Sequence, residues 1–450
     1  MEDQRTVADA AEEDNVLTTI RRLTKNNRTI EKATTLMVAL LNTKFEFSVL
    51  PDSLKFDTNN ELALNSLRAE FKTKDGQHLF LKCHHEEGEL ARVGEYYRSG
   101  ILEQAGFPIE PALYQSSIVG EQMVIYTYRD RDLTPELHSI ARDIEATGCC
   151  TEEVVRISNA FDSFQQRIGK LYLSSLHWAT PSQVAAEAVH GLYHRRLVDQ
   201  EDDQQFGARI GEFYLGRQVP LPGGRSIPFE EFWHMRWSIN GRLYNHTLHH
   251  ALTTARKQLL PTKQVPIAAL TAHGDDHTGN LLYNADASPG NELTYFDPAF
   301  AGNHIPALQA PCKALYHICF AHPNMLYNPS ELDIDIKMNI DQDVIVVTHN
   351  WQLSELRQLF LNSQLEHVWA PLLSELRKHS MLPDDWDNTI ASTLLCCPIL
   401  CKNLIAGLGS PNPLTKEASL LTFSIAMQLA EGDLAGTNIT IRSMLPSSLH

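Results

Sequence analysis

Thr271-Ala272-His273-Gly274-Asp275-Asp276-His277-Thr278-Gly279-Asn280, followed seventeen residues later by Asp297-Pro298, is the stretch on which the reading of this chain turns. Gly274 and Gly279 argue against a helix here, because glycine in a helix interior loses backbone freedom without adding side-chain packing. Two short apolar runs follow, Leu281-Leu282-Tyr283 and Leu293–Phe296. One turn separates them, so they read as a pair of strands that bring Asp297 back beside Asn280. The segment is therefore a polar loop followed by a hairpin, with two carboxylates and a carboxamide converging.

Working outward toward the N-terminus, Leu62–Thr73 and His78–Cys83 are β-type runs around Lys74-Asp75-Gly76-Gln77, a strong hairpin signal. Residues Glu86–Gln104 read as a helix, stopped by Gly106 and Pro108. Ile118–Gly120 and Met123–Tyr128 read as a second hairpin. Hairpin, helix and hairpin over one compact stretch predict a small antiparallel sheet carrying one helix. Before it, apolar residues from Asn15 to Leu41 recur at helical spacing, broken at Asn26-Asn27, with strand character starting near Phe45. After it, Pro135 to Ile267 reads as helical except for the loop-like Val219–Pro228 (VPLPGGRSIP). Beyond Pro306 the chain is helical again, apart from a late hairpin within Ile334–Val347. The expected fold class is α+β and two-lobed. Residues 1–41 form an N-terminal helical extension, 42–130 a small antiparallel-sheet lobe and 131–450 a larger, mainly helical lobe. The cleft between lobes is the natural ligand site.

The residue types in the central loop suit phosphoryl transfer. That reaction needs one carboxylate to orient and deprotonate an attacking hydroxyl, and oxygen ligands to hold Mg2+ on nucleotide phosphates. Asp275 and Asn280 have the five-residue separation of a kinase catalytic loop, with a further Asp closing a short hairpin. The pattern His-Gly-Asp-x-His-x-x-Asn with a downstream Asp-Pro resembles the signature of the aminoglycoside phosphotransferase and choline kinase-like superfamily. That resemblance implies a protein-kinase-like fold, Asp275 as catalytic base, Asn280 and Asp297 as Mg2+ ligands, and His273 and His277 as residues shaping the loop. Phe71–Lys82 (FKTKDGQHLFLK) is similar to the family's paired strands ending in a lysine. The implied phosphate contact is Lys82, with Glu95 its helix partner ahead of Glu89 and Glu103. Met123–Asp130 would form the last strand and hinge, with Tyr126 and Tyr128 meeting the adenine. The phosphate-covering loop around Glu61–Leu67 (ELALNSL) has no glycine, leaving Asn65 and Ser66 to present backbone N–H groups. Phe300–Ala310 lacks the acidic residue that relatives often carry there.

The chain has 450 residues, 43% hydrophobic and 21% charged, which is an ordinary globular balance with room for two or three domain-sized units. A formal charge of −17 disfavours nucleic acid and draws a cationic acceptor, such as an amino sugar or a choline-like amine. Eight cysteines lack zinc-finger spacing, and the adjacent pairs Cys149-Cys150 and Cys396-Cys397 are poor disulfides, so free thiols in a reducing, cytoplasmic setting are expected. No apolar run is long enough to span a bilayer. His273, Asp275 and His277 could instead form a zinc site, although the two glycines oppose the helix that such spacing needs. His84-His85 and the trio His246, His249 and His250 read as surface or helix-face residues. Glu201-Asp202-Asp203 reads as a solvated helix end or loop, and Cys396–Cys401 as core. The expected activity is Mg2+-dependent transfer of a γ-phosphoryl group from ATP or GTP to a small-molecule hydroxyl, with no nucleic-acid or membrane partner. The alternative is a degenerate kinase fold that binds nucleotide or a partner without turnover.

Overall fold

The computed structural model describes residues 16–24, 27–57, 66–84, 98–116, 118, 120–130, 133–147, 151–261, 265–321, 329–406 and 413–445. Helices α1 (Val16–Thr24) and α2 (Ile30–Phe45) open the described chain, separated at the expected place by the 3-10 turn Asn27–Thr29. Leu17 and Ile20 of α1, and Ala33, Met37 and Leu41 of α2, recur at three- and four-residue intervals and are buried. They rest on a five-stranded antiparallel sheet of order β1-β2-β3-β5-β4, made of β1 (Lys55–Phe56), β2 (Ser66–Lys72), β3 (His78–His84), β4 (Tyr114–Ser116) and β5 (Met123–Thr127).

Strand period two divides this sheet into two faces. Leu67, Ala69 and Phe71 of β2, Leu79, Leu81 and Cys83 of β3, and Met123 and Ile125 of β5 form one core with α1 and α2. The alternate residues Arg68, Phe80, Lys82, Val124 and Tyr126 therefore face the rest of the molecule. Pairing across the sheet aligns Arg68 with Lys82 and Phe80 with Tyr126. The β2–β3 turn is the Asp-Gly turn read from sequence, with Gly76 in the left-handed region (φ 90°). Strand structure does not begin near Phe45, as the sequence suggested. Helix α2 continues to that residue, and Glu46 ends it in the left-handed conformation (φ 56°). Phe45 then packs with Phe47 and Tyr114, at ring separations of 5.4 and 6.0 Å, so its burial is helical.

After the short helix α3 (Ser99–Gln104) and β5, the larger lobe opens with α4 (Leu137–Thr147) and the 25-residue α5 (Thr151–Ser175). Its strands are β6 (His177–Ala179), β7 (Gln218–Pro220), β8 (Ser226–Pro228), β9 (Arg236–Ile239), β10 (Arg242–Tyr244), β11 (Ile267–Ala272), β12 (Leu281–Tyr283), β13 (Leu293–Tyr295), β14 (Gly302–Pro306), β15 (Ile336–Asp341) and β16 (Val344–His349). Three of these, β6, β9 and β10, lie in a region whose sequence reads as helical. The Pro/Gly-rich loop is itself a small ribbon, β7–β8, turned at Gly223 and Gly224 (φ 78° and 81°). The late hairpin is present as β15–β16, and β16 also pairs in parallel with β9. Strand β6 pairs with β11 and β9 with β16, partners far along the chain that local periodicity does not register, while β10 pairs with β9 across the adjacent Asn240-Gly241 turn. The chain is thus a two-lobed α+β fold, with one sheet lobe and one mainly helical lobe. Among the described residues no helix is long and apolar enough to cross a membrane.

Candidate active site

Strand β11 is the centre of the three-stranded sheet β14-β11-β6, and five of its six residues are buried. It delivers the loop His273–Asn280 to the floor of the cleft. Gly274 turns the chain at φ 81°, and a Cβ there would collide with the Phe300 carbonyl oxygen, so the position needs glycine twice over. His273 is buried and spends both ring nitrogens on backbone. Nε2–H donates to the Phe296 carbonyl at 2.9 Å, and Nδ1 accepts from the Asp275 N–H at 3.3 Å. Burial holds its pKa below the usual value, which suits a neutral ring in this role. One imidazole thus ties Asp275 to the residue preceding Asp297.

Asp276 turns away from the cleft into the core. Its carboxyl accepts from the Ala314 N–H at 3.2 Å, and the Tyr172 hydroxyl lies 3.4 Å from its other oxygen. Burial raises its pKa to about 7. His277 caps the short turn Thr278–Asn280, its Nδ1 accepting from the Gly279 N–H at 3.1 Å. Its Nε2 lies 4.0 Å from Asp275 Oδ2, and burial lowers its pKa to about 4. His273 has both ring nitrogens committed, and a neutral His277 whose Nδ1 accepts an N–H carries its proton on Nε2, so neither ring as placed offers zinc a lone pair.

Asp275 faces the cleft, mostly buried. Asn280 donates from Nδ2 to the Asp275 carbonyl at 2.8 Å, and its own backbone oxygen accepts from the Phe296 N–H at 2.8 Å. The hairpin β12–β13 pairs Leu281 with Tyr295, which sets Asp297 beside the loop. Asp297 is held at φ 60°, an uncommon conformation for a residue with a side chain, costing on the order of 1–2 kcal/mol. Its carboxylate is ion-paired to Lys82 Nζ on β3. That contact joins residues 215 apart in sequence and closes the sheet lobe onto the helical lobe. Burial lowers the Lys82 pKa; the Asp297 carboxylate opposes this, and Arg68 across the sheet adds to the lowering.

A cavity of about 260 Å³ lies beside this pair, lined by Phe80, Tyr126, Tyr128, Arg68, Leu282 and Phe296 among others. Tyr126 and Phe296 rings are 4.8 Å apart, and Lys82 Nζ stands 5.7 Å from the Phe296 ring centre. Tyr128 reaches the same cavity from the hinge, stacked on His78 at 3.9 Å. Glu110 and Arg129 form a bidentate pair at the hinge, with contacts of 3.0–3.2 Å. The structure thus joins Lys82 to Asp297 and Asn280 to Asp275, next to the cavity that Tyr126 and Tyr128 line. Ser66 begins β2, with only its backbone described. Asn65, Glu89, Glu95 and His85 lie outside the described residues.

Sequence reasoning missed Lys313. It is buried on the short turn Cys312–Ala314, with Nζ 3.4 Å from Asp275 Oδ1. Burial opposes the charge on each partner. In both the neighbours together outweigh burial: Asp275 leads those that raise the Lys313 pKa, and Lys313 leads those that lower the Asp275 pKa. Lys313 was hidden in a stretch, Pro311–Phe320, whose composition reads as core helix. The only available signal was a lysine in a run otherwise apolar or aromatic. Arg68 was equally unmarked, although its place opposite Lys82 follows from the hairpin register.

The donor set suits a hard divalent cation. Asn280 commits its amide nitrogen to the Asp275 carbonyl, so Oδ1 is the atom left to coordinate, and Asp297 adds carboxylate oxygen. No family model and no curated protein matches this sequence. Among solved structures, the chain is similar to an amicoumacin kinase in complex with AMP-PNP and Ca2+, at 13% identity and a TM-score of 0.43, covering 92% of this chain and 96% of that one. It is also similar to a macrolide 2'-phosphotransferase type I (12%, TM-score 0.37, 82% and 89% covered). A glucosamine kinase in complex with glucosamine, ADP and inorganic phosphate is similar at 11%, TM-score 0.35, with 87% and 95% covered.

Proposed function

We propose that this chain is a phosphotransferase that moves the γ-phosphoryl group of ATP or GTP to a hydroxyl of a small molecule, with Mg2+. The observation that carries the reading is the ion pair of Lys82 with Asp297, made across the lobes within the same cleft that presents Asp275 and Asn280. Residues that far apart have no local reason to meet.

Each residue has a role that follows from its chemistry. Asp275 accepts the proton of the acceptor hydroxyl and aligns its oxygen on the phosphorus. Lys82 orients the nucleotide phosphates from the sheet side, fixed by Asp297. Phe80, Tyr126 and Phe296 form an apolar slot for the base, with Tyr128 at its mouth. Asn280 Oδ1 and the Asp297 carboxylate would hold Mg2+, which supplies charge neutralisation on the phosphates when bound. His273 fixes the spacing of Asp275 and Asp297. Asn65, Ser66 and Glu95 remain candidates for phosphate contact and lysine support. A cationic acceptor rests on the net charge of −17 alone.

The test is nucleotide turnover over a panel of hydroxyl compounds, comparing the natural chain with Asp275→Ala. The natural chain should release nucleoside diphosphate in a Mg2+-dependent manner and the variant should not. Undiminished turnover in the variant would refute the assignment. Mg2+-dependent nucleotide binding with no transfer to any acceptor or to water would favour the degenerate-kinase alternative.

A further inference from the structure

The roles above leave Lys313 without a task. A buried ammonium is costly to desolvate, and a surface position would avoid that cost. Lys313 is instead 7% exposed in its side chain, and its described charge contact is with Asp275. Asp275 Oδ1 accepts no hydrogen bond, so the two groups meet as charges at 3.4 Å without an aligned N–H···O bond. That geometry leaves the ammonium's N–H donors free to turn toward another oxygen.

The position of Lys313 is also fixed independently of Asp275. The next residue, Ala314, donates its N–H to Asp276, so the turn is pinned to the catalytic loop itself. The chain then runs into the π-helical segment Leu315–Phe320, whose Ile318 carbonyl accepts from Arg357 Nη1 at 3.0 Å. Such wide turns recur at functional sites. They also place His317 against His277, with ring centres 5.6 Å apart. Lys82 approaches the cleft from the sheet lobe and Lys313 from the helical lobe. The two lysines therefore flank the path between a nucleotide and a hydroxyl poised on Asp275.

We propose that Lys313 is a second phosphoryl-binding cation, which rests on Asp275 and contacts an equatorial oxygen of the phosphoryl group during transfer. This inference rests on the phosphotransferase reading. In the step, the acceptor oxygen forms its bond to the γ-phosphorus while the bond from that phosphorus to the β–γ bridging oxygen breaks. The bridging oxygen keeps the electron pair and leaves with the diphosphate, and the acceptor proton passes to Asp275. Charge spreads over the three equatorial oxygens as this happens. A cation already in place stabilises that arrangement more than the bound nucleotide.

The test is calorimetric binding of Mg·ADP, with and without aluminium fluoride, to the natural chain, Lys313→Met, Lys313→Arg and Asp275→Ala. Aluminium fluoride stands in for the phosphoryl group in flight, so no acceptor needs to be known. Mg·ADP alone should bind all four within about threefold. The added affinity from aluminium fluoride should fall by about 30-fold or more in Lys313→Met and be partly restored in Lys313→Arg. Equal gains in the natural chain and Lys313→Met overturn the proposal. So does an equal loss of Mg·ADP affinity, which marks a structural lysine. Should Lys313→Met not fold, Lys313→Arg decides, with a reduced gain expected at unchanged Mg·ADP affinity. Mg·ADP binding to the natural chain with no gain from aluminium fluoride overturns the role of Lys313 alone. No Mg·ADP binding at all overturns the phosphotransferase reading.

Discussion

At the scale of single residues, the site is a set of side chains whose neighbours decide their protonation and aim. Asp275 is mostly buried, which raises its pKa, yet its neighbours, Lys313 foremost, together outweigh that burial and keep the pKa below the ordinary value. A carboxylate in that state can accept a proton near neutrality. Asp275→Ala should therefore lower turnover by about 10²–10⁴-fold while changing Mg·nucleotide affinity less than threefold, measured by diphosphate release and calorimetry. Asp297→Asn should act on binding instead. It removes the partner of Lys82 and one negative ligand, so nucleotide affinity should lose most of its dependence on Mg2+. Nucleotide titrations at several Mg2+ concentrations read that out; an unchanged dependence would contradict the ligand role. The positions of Asp275, Asn280, Asp297 and Lys82 were legible because a loop between glycines, a short hairpin and an Asp-Gly turn fix them by local rules. Lys313 was not, because its partner lies 38 residues away in sequence and the lysine is carried on a segment that looks like core. The five-residue separation from Asn280 singled out Asp275 rather than Asp276 in the sequence, but it gave Asp276 no place. Only the fold turns the second one inward, against Tyr172 and the Ala314 N–H.

At the scale of elements, the helical lobe positions the loop through close backbone packing. Helix α5 crosses the π-helical segment Leu365–Trp369 at Gly169, where a Cβ would collide with the His367 carbonyl oxygen. Asp162 accepts from His367 at the same crossing, 3.0 Å away. Gly169→Ala should cost about 1–3 kcal/mol of stability, because a rigid backbone atom has to move. Gly211→Ala is the matched control. Nothing lies within 4 Å of its would-be Cβ, and it sits inside the helix Ala208–Phe213, so the change should stabilise by up to about 1 kcal/mol. Urea midpoints measure both, and equal effects would contradict the packing account. The sequence showed the elements with strong local signals, namely the β2–β3 hairpin, the break between α1 and α2, and the β15–β16 hairpin. It missed β6, β9 and β10. Strands β6 and β9 are three or four residues long and made regular by distant partners, as when β9 pairs with β16, whereas β10 folds back on β9 across Asn240-Gly241, a local turn signal that the helical reading passed over. The ribbon β7–β8 was read as loop because its prolines suppress strand propensity, yet they sit at the ends of strands in a two-stranded ribbon, where a missing N–H matters least.

At the scale of the whole molecule, burying histidines in the helical lobe sets an acid limit on stability. Burial holds His138 at about 3, and His190 and His277 at about 4, against about 6.5 when unfolded. Well above pH 6.5 they are neutral in both states and contribute no pH dependence. As pH falls from 6.5 toward 4, the unfolded chain binds protons that the folded chain does not, so stability drops by up to about 1.4 kcal/mol per pH unit for each. Asp276 acts in the opposite sense: its pKa near 7 means the folded chain holds a proton that the unfolded chain releases above about pH 4. Three histidines against one carboxyl leave a net loss in acid. The urea midpoint should fall between pH 6.5 and 4.5, and a rise would contradict this balance. The cleft between the lobes is the product of all these parts, and its claim to a nucleotide and a divalent ion can be examined directly. The most direct measurement is anomalous diffraction from crystals grown with Mn2+ and a non-hydrolysable nucleotide. A peak about 2–2.3 Å from both Asn280 Oδ1 and an Asp297 oxygen, with phosphates between Lys82 and Asp275, is the predicted result. Metal bound elsewhere, or nucleotide absent from the slot of Phe80, Tyr126 and Phe296, would contradict it.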